Sequence, residues 1–521
     1  MYDATKTEIE LKYLVRCGMA SKRARKKMSR KLKNFGFTVK RSDNQRIEDI
    51  YFDTQDHTLE QQGWSLRLRS TDARQIVTLK SVATADASFK RTEIEHEFDS
   101  SFSKDTCTIN IRPESRISRL LQSLNIQYIT LLPVYQQNTL RRRYQLTHAS
   151  HKPTCIEWAV DTVRNSGSIN DYVEFEFELL EGQEPLLDHI TLIAQSENYL
   201  RPSRMSKLQR GLYAQYPHKQ PALRRAEAAL AGEKSWRSHG LDILEACRDS
   251  LHRCEPFAFE ALHPEGVHQL RVATRRTRAA LNLFRDVVPA EQAMATKPAF
   301  KRLSSALGEM RDLDVHQAQL ARKLNRSKWH PYRRYLHKQI SKQQQCLQQV
   351  ITQDFDNLHR QLVIICRQIA TNDNTGGQTV AQHVDQVLPA TINRILQAGA
   401  KLDREASADE LHAFRIILKQ LRYQLEIFAG MNGDIDRLTH AARNLQTLLG
   451  DHQDTQLARA MIQKFISRYP EQKFPALEKF SHKQTNKAEK YREMLQQVWK
   501  QFEQDCKPLQ VIPQSAKGFS Q

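Results

Sequence analysis

The residues best placed to do chemistry begin near the N-terminus. Glu8, Glu10 and Lys12 alternate with Ile9, Leu11 and Tyr13, the period-two pattern of a strand with one charged and one apolar face. The pattern returns late, where Glu174, Glu176 and Glu178 interleave with Val173, Phe175, Phe177 and Leu179. One such strand alone reads as half-buried sheet with a solvated side. Glu is depleted in strands, however, and like charges side by side repel unless something neutralises them. Two acidic strands in one small domain therefore predict a cation between them.

The segments between them carry the opposite charge. Leu66-Arg67-Leu68-Arg69 sets two guanidinium groups on one face, and Thr78-Leu79-Lys80 adds an ammonium. Arg91, Glu93 and Glu95 share a face, as do Arg141 and Arg143. A sheet curled with these faces inward makes a channel with carboxylates for a metal and cations for a polyanion. Arg and Lys suit phosphate, Arg through paired donors and Lys as a point charge. The apolar faces must then be covered by helices or by another part of the chain.

Stepping along the chain gives the elements that would hold this channel. Ser21 to Lys27, continuing to about Asn34-Phe35-Gly36, reads as a basic helix closed by Gly36, its charge run expected to be a solvated face. Tyr51-Phe52-Asp53-Thr54 reads as a strand end, residues 110–126 as a helix, 154–161 as a strand ending on Asp161, and 185–198 as a helix.

Taken in order, Glu8-x-Glu10-x-Lys12, Tyr51-Phe52-Asp53-Thr54, Leu-Arg-Leu-Arg, Thr-Leu-Lys and the late Glu-x-Glu-x-Glu resemble the CYTH domain, the triphosphate tunnel metalloenzyme superfamily, over about residues 1–213. The resemblance implies an antiparallel β-barrel tunnel and assigns roles residue by residue. Glu8 and Glu10 fall at its metal-binding carboxylates and Lys12 at its phosphate-contacting lysine. Arg67, Arg69, Lys80, Arg141 and Lys207 fall where it places cationic contacts to the triphosphate. Asp161, Glu174, Glu176 and Glu178 fall on its late acidic strands, which help to hold metal. Arg91, Arg143, Glu93 and Glu95 match less closely. Hard ions such as Mg2+ or Mn2+ prefer oxygen ligands and bridge carboxylate to phosphate. Metal and cations together would offset charge gathering on phosphate oxygens during attack by water, and a tunnel glutamate could take the proton of that water.

Residues 214–232 read as a linker, and the chain from 233 to 505 as all-α, with 506–521 as a tail. This region repeats. His268, Arg271, Arg275 and Arg278 map onto His412, Arg415, Lys419 and Arg422 at a constant offset of 144, and Leu307–Asp312 maps onto Leu449–Asp454 at 142. Positions i, i+3, i+7 and i+10 lie along one helical stripe, so each helix stacks a His and three cations, with Leu270, Thr277, Leu281 and Phe284 on a packing side. A bound polyanion would neutralise the stripe; Asp312 and Asp454 pairing with it is the structural alternative. The half resembles the CHAD domain, which implies binding of inorganic polyphosphate through a basic central surface. Gln453 stands where the first repeat has Arg311, and Gln420 where it has Arg276, so the halves are expected to contribute unequally.

The fold class expected is therefore α+β, a tunnel followed by a two-repeat helical bundle. Composition agrees with a polyanionic ligand. The net charge is +20, of which residues 1–216 carry +6 (33 basic, 27 acidic) and the remainder +14 (46 basic, 32 acidic). The eight cysteines form no Cys-x-x-Cys pair, which argues against a disulfide framework or zinc site. No apolar run reaches spanning length and the N-terminus lacks the core of a secretory signal, so a cytoplasmic protein without a membrane partner is expected. Nucleic acid is a weaker candidate, for no base-reading or stacking module is evident. The leading expectation is hydrolysis of inorganic triphosphate to pyrophosphate and phosphate. The alternatives are a nucleoside or thiamine triphosphatase, and a non-catalytic polyphosphate-binding scaffold. Oligomeric state is not legible.

Overall fold

The computed structural model describes residues 4–16, 19–81, 90–97, 109, 111, 115–126, 131–148, 155–165, 171–182, 185–215, 234–260, 263–371, 378–400, 402 and 406–510. The chain divides into two compact units, Met1–Pro221 and Ala222–Gln521. The side chains of Glu8 and Arg91, and most of the expected linker and tail, lie outside the described set.

In the first unit, alternation of charged and apolar residues produces long antiparallel strands. In chain order they are β1 (Ala4–Val15), β2 (Phe37–Asp53), β3 (Trp64–Thr71), β4 (Gln75–Ser81), β5 (Lys90–Glu97), β6 (Leu132–His148), β7 (Cys155–Asn165), β8 (Tyr172–Glu181) and β9 (Leu200–Pro202). Their order across the sheet is β5-β4-β3-β2-β6-β7-β8-β1-β9, and β1 pairs β5 as well. That added pairing curls the sheet into a tunnel.

The apolar residues point outward, as the charge pattern requires. Leu66, Leu68, Val77, Leu79, Ile50 and Phe52 pack with Ile117 and Leu121 in one core cluster. Leu11, Tyr13, Trp158, Phe175 and Phe177 pack with Ala24, Met28, Leu32, Leu187, Ile190 and Ile193 in another. The covering helices are α1 (Ser21–Asn34), the short α2 (Thr58–Gln61), α3 (Arg116–Ser123) and α4 (Pro185–Gln195). Gly36 has φ +84°, the left-handed conformation that ends α1 cheaply. Asp53 closes β2 and accepts from the amides of Thr54, Leu59 and Glu60, at 2.7, 2.8 and 3.0 Å.

Three local expectations change. The helix expected over 110–126 is confined, among described residues, to Arg116–Ser123, where Ser115 caps it through Ser118. The helix expected over 185–198 stops at Gln195. Strand β7 runs on to Asn165, so Asp161 sits within it rather than at its end.

Helix α5 (Lys207–Gln215) enters at one side of the tunnel. Ser206 and Gln209 cap its start reciprocally, the Gln209 amide donating to Ser206 Oγ at 3.1 Å and the Ser206 amide to Gln209 Oε1 at 2.9 Å. A Cβ on Gly211 would lie 2.1 Å from the Tyr135 ring, so only glycine lets the helix approach this closely.

The second unit is helical: α6 (Trp236–Glu260), α7 (Pro264–Leu283), α8 (Ala290–Leu324), α9 (His330–Thr371), α10 (Val380–Gly399), α11 (Ala408–Ile427), α12 (Gly433–Ile466) and α13 (Pro475–Cys506). The repeat is therefore four helices long. α7 and α11 match at both ends with the offset of 144 read from their cations. The helices preceding them are joined by a two-residue antiparallel bridge, Ser235 with Thr379, the same offset apart. Trp236 N donates to Gln378 O at 2.9 Å and Val380 N to Lys234 O at 3.0 Å, a pseudo-twofold exchange. Among the described residues, no helix is long and apolar enough to cross a membrane.

Candidate active site

Strand register decides which charges meet. Glu10 lies opposite Glu178, Lys12 opposite Glu176, and Leu14 opposite Glu174. On the next strand Asp161 lies opposite Glu174 and Glu157 opposite Glu178, with Arg141 opposite Asp161. Across the tunnel Asp49 faces Arg69 in register, and Lys80 faces Glu93.

These side chains enclose a cavity of about 390 Å3. Among the described residues its wall carries eight cations, Lys12, Arg67, Arg69, Arg74, Lys80, Arg141, Arg143 and Lys207, and six carboxylates, Glu10, Glu93, Glu95, Glu157, Glu176 and Glu178. The sequence-derived set is thus largely brought together. Asp161 and Glu174 are exceptions: they are 0 % and 1 % exposed and lie behind the wall rather than on it.

The deep end is a layer of ion pairs. Lys207 Nζ stands 3.0 Å from Asp161, 3.0 Å from Glu174 and 2.5 Å from Glu176. Arg141 grips Asp161 with two donors at 2.9 and 2.7 Å and donates to Glu176 as well. Lys12 bridges Glu176 at 3.3 Å and Glu10 at 3.0 Å. Burial alone would discharge Lys207, yet the three carboxylates outweigh it and hold its pKa well above the ordinary lysine value. Burial likewise opposes charge on Glu176, but Lys207, Lys12 and Arg141 win and its pKa falls well below the usual value. For Glu174 burial prevails over Lys207, and its pKa rises.

Carboxylate oxygens are the donors a hard divalent ion takes. Asp161, Glu174 and Glu176 bring oxygens within 4.8 Å of one another, and neither Glu174 oxygen has a hydrogen-bond partner. Lys207 already supplies positive charge to that trio. On the wall itself stand Glu10, Glu176 and Glu178.

Sequence reasoning passed over Asp49. It is fully buried, accepts from Arg69 at 2.8 and 3.0 Å and from Gln137 at 3.3 Å, and lies 3.8 Å from Arg67. Burial raises its pKa, but Arg69 and Arg67 more than compensate and hold it far below the carboxylate range. The signal was present as the Asp49-x-Tyr51-x-Asp53 alternation, which runs into the expected strand end Tyr51–Thr54. Arg74 follows β3 in the turn to β4, where no periodicity marks it.

In the second unit, α7 and α11 bring part of the predicted stripe together. Arg271, Arg275, Arg415 and Lys419 lie near enough for each to feel the others. The Nε atoms of Arg275 and Arg415 and the Tyr423 hydroxyl are buried without a hydrogen-bond partner. Burial, then the surrounding Arg415, Arg275, Arg271 and Arg422, bring Lys419 down to about 7. Asp312 and Asp454 stand by with pKa values raised by burial, opposed by Arg271 and Arg415 respectively. Gln453 accepts from Arg415, so the residue that breaks the repeat supports its neighbour. Glycine gives room for the guanidinium groups: a Cβ on Gly308 would sit 2.8 Å from Arg271 Nη1.

The rest of the stripe diverges. Arg422 pairs with Glu426 and donates to Gln446 at 2.7 Å. Arg278 is exposed and donates to Ser304 at 3.1 Å. His412 is exposed, while burial and then Arg311 depress the pKa of half-buried His268. One helical stripe thus holds both a shared cluster and separately engaged ends.

A tunnel walled by both cations and carboxylates, followed by a helical repeat with a basic seam, defines a two-domain protein. The CYTH domain family matches residues 6–212, and the CHAD domain family matches residues 242–463. The chain carries a CYTH domain followed by a CHAD domain. No curated protein matches it. Among solved structures, the CHAD domain from the plant Ricinus communis is 23% identical, covering 53% of this chain and 96% of its own, with a TM-score of 0.45. PptA from Streptomyces chartreusis is 17% identical, covering 51% and 100%, with a TM-score of 0.42. A Hippeastrum protein described as having a dominant triphosphatase activity is 18% identical, covering 39% and 93%, with a TM-score of 0.30.

Proposed function

We propose that the first unit hydrolyses inorganic triphosphate to pyrophosphate and phosphate with Mg2+ or Mn2+, and that the second binds inorganic polyphosphate. The observation that carries the hydrolase reading is the cavity wall, where eight cations and six carboxylates surround about 390 Å3. A pure anion binder gains little from carboxylates facing its ligand. A metallohydrolase needs them, because the ion bridges carboxylate and phosphate. Among the described residues apolar lining is limited to Tyr51, Leu180 and Leu208, a poor bed for a base or a thiazole, which favours an inorganic substrate over a nucleotide or thiamine triphosphate.

Arg67, Arg69, Lys80, Arg141, Lys12 and Lys207 are the groups suited to hold the phosphate oxygens, and Asp49 and Asp161 orient the guanidinium groups from behind. Glu10, Glu176 and Glu178 would hold the metal, together with Glu8 by its place in β1. When bound, the metal supplies Lewis-acid stabilisation of the phosphate oxygens. Glu93 and Glu95 lie across the cavity within reach of Arg67 and Thr78, at 3.7 and 3.4 Å, positions from which a carboxylate can take a proton from water. The deciding measurement is phosphate release from triphosphate, long-chain polyphosphate, ATP and thiamine triphosphate, with and without divalent metal. Triphosphate with metal should be turned over fastest. Equal or faster release from ATP would replace this substrate assignment.

For the second unit, replacing Arg271, Arg275, Arg415 and Lys419 by Ala should weaken polyphosphate binding by about 10^3-fold or more at low salt and reduce its salt dependence, while triphosphate turnover stays unchanged. Unchanged polyphosphate affinity, measured by titration calorimetry, would return these cations to a structural role.

The ligand favours protonated Lys419, whose pKa in the free protein is about 7. Polyphosphate affinity should therefore be full at pH 6 and decline as pH rises above 7. Replacement of Lys419 by Met should flatten the profile; an equally steep profile in the variant would assign the titration elsewhere.

A further inference from the structure

We propose that the outer face of α1 docks this protein on an anionic lipid surface. Eight of its fourteen residues are Lys or Arg and none is acidic. Ala24, Met28 and Leu32 are spent on the core at i, i+4 and i+8, so the charge lies outward. Lys22, Arg23, Lys26, Arg30 and Lys33 are exposed. Among the described residues Lys31 is the cation of this helix with a carboxylate partner, Glu197 at 3.2 Å. Like charges three and four apart destabilise a helix, and Lys22 and Arg23 also oppose its dipole at the N-terminal end. Among the described residues Glu197 and the rings of Tyr144 and Tyr199, which face Lys31, Arg25 and Lys27, offset part of that cost; a fixed array of anions against the exposed Lys22, Arg23, Lys26, Arg30 and Lys33 would offset the rest.

What selects lipid over a soluble polyanion is the apolar surface beside the charges. Phe35, just past the end of α1, is 54 % exposed, and Leu192 on α4 is 63 % exposed. They share one edge. His148 Nε2 lies 3.2 Å from Phe35 O, its ring is 6.5 Å from that of His189, and Leu192 is one turn beyond His189. A polybasic helix flanked by an aromatic and an aliphatic side chain matches the headgroup–acyl boundary of an anionic bilayer, whereas Leu192 offers nothing to RNA or free polyphosphate. The contact is peripheral and needs no spanning helix, and it revises the expectation that the protein has no membrane partner.

The test is flotation of the full chain with phosphatidylcholine vesicles with and without phosphatidylglycerol. Wild type should bind only the anionic vesicles. Lys22→Gln, Lys26→Gln, Arg30→Gln and Lys33→Gln together should lower partitioning by about a hundredfold or more, and Phe35→Ser with Leu192→Ser by about tenfold. Both variants should keep triphosphate turnover and helical circular dichroism. Equal binding to neutral vesicles, or binding retained by the four-Gln variant, would overturn the proposal. Binding lost with the four charges but untouched in the Phe35/Leu192 variant would overturn the lipid assignment in favour of a soluble polyanion.

Discussion

Replacing both Glu10 and Glu178 by Gln is expected to lower metal-dependent triphosphate turnover by on the order of 10^3-fold while leaving the melting temperature near that of the wild type. The two residues are cross-strand partners, and both line the cavity. Like charges directly opposite one another destabilise a sheet by a few tenths of a kcal/mol up to about 1 kcal/mol, so neutralising them relieves repulsion. Against that stands the loss of the Lys12–Glu10 contact at 3.0 Å and of the looser Lys80–Glu10 pair at 3.9 Å, softened because Lys12 keeps Glu176 at 3.3 Å. The two effects nearly cancel for folding. They do not cancel for catalysis, because amides bind hard cations far less strongly than carboxylates do. Turnover kinetics across a metal titration, paired with thermal melts, separates the outcomes. Normal turnover in the double variant would remove these residues from the metal site.

Lys207→Met should have the opposite profile, with a large loss of stability alongside the loss of activity. Three carboxylates, all under a tenth exposed, share this one ammonium. Removing one partner from a buried ion cluster typically costs about 3–5 kcal/mol, because the remaining charges stay buried and uncompensated. For a unit of this size that corresponds to a fall in melting temperature of about 10 °C. The pH dependence follows from Glu176, whose pKa Lys207 helps to depress. A depressed carboxylate contributes stability above its unfolded pKa, and that contribution is lost as pH falls through its folded value. The gap between wild type and variant should therefore be full at neutral pH and narrow in acid. Equal melting temperatures at pH 7 would show that Arg141 and Lys12 suffice for the trio.

The chemistry of the tunnel was readable because it obeys a period of two. Arg67 and Arg69 alternate with Leu66 and Leu68, and that alternation alone tells which side chains share a face. The repeat of the second unit was readable for a similar reason, since an offset of 144 survives in both the cations and the helix ends. Element ends were less readable, because periodicity tells which face a residue occupies and not where an element stops. The described part of the helix expected over 110–126 is only eight residues long. Asp161, the expected end of a strand over 154–161, lies inside β7, where Arg141 and Lys207 neutralise it.

The sequence by itself determined which residues carry charge, which faces they occupy, and that two halves of a helical domain repeat. Tertiary structure alone decided their depth and their partners. Glu174, Glu176 and Glu178 are equivalent in the pattern, yet Glu174 is buried behind the wall while Glu176 and Glu178 face the cavity. Arg271 and Arg278 stand on one stripe, yet the first joins a cationic cluster and the second turns to Ser304. The physical reason is that alternation along a chain fixes direction, whereas desolvation and pairing depend on what the neighbouring strand or helix places within a few ångströms.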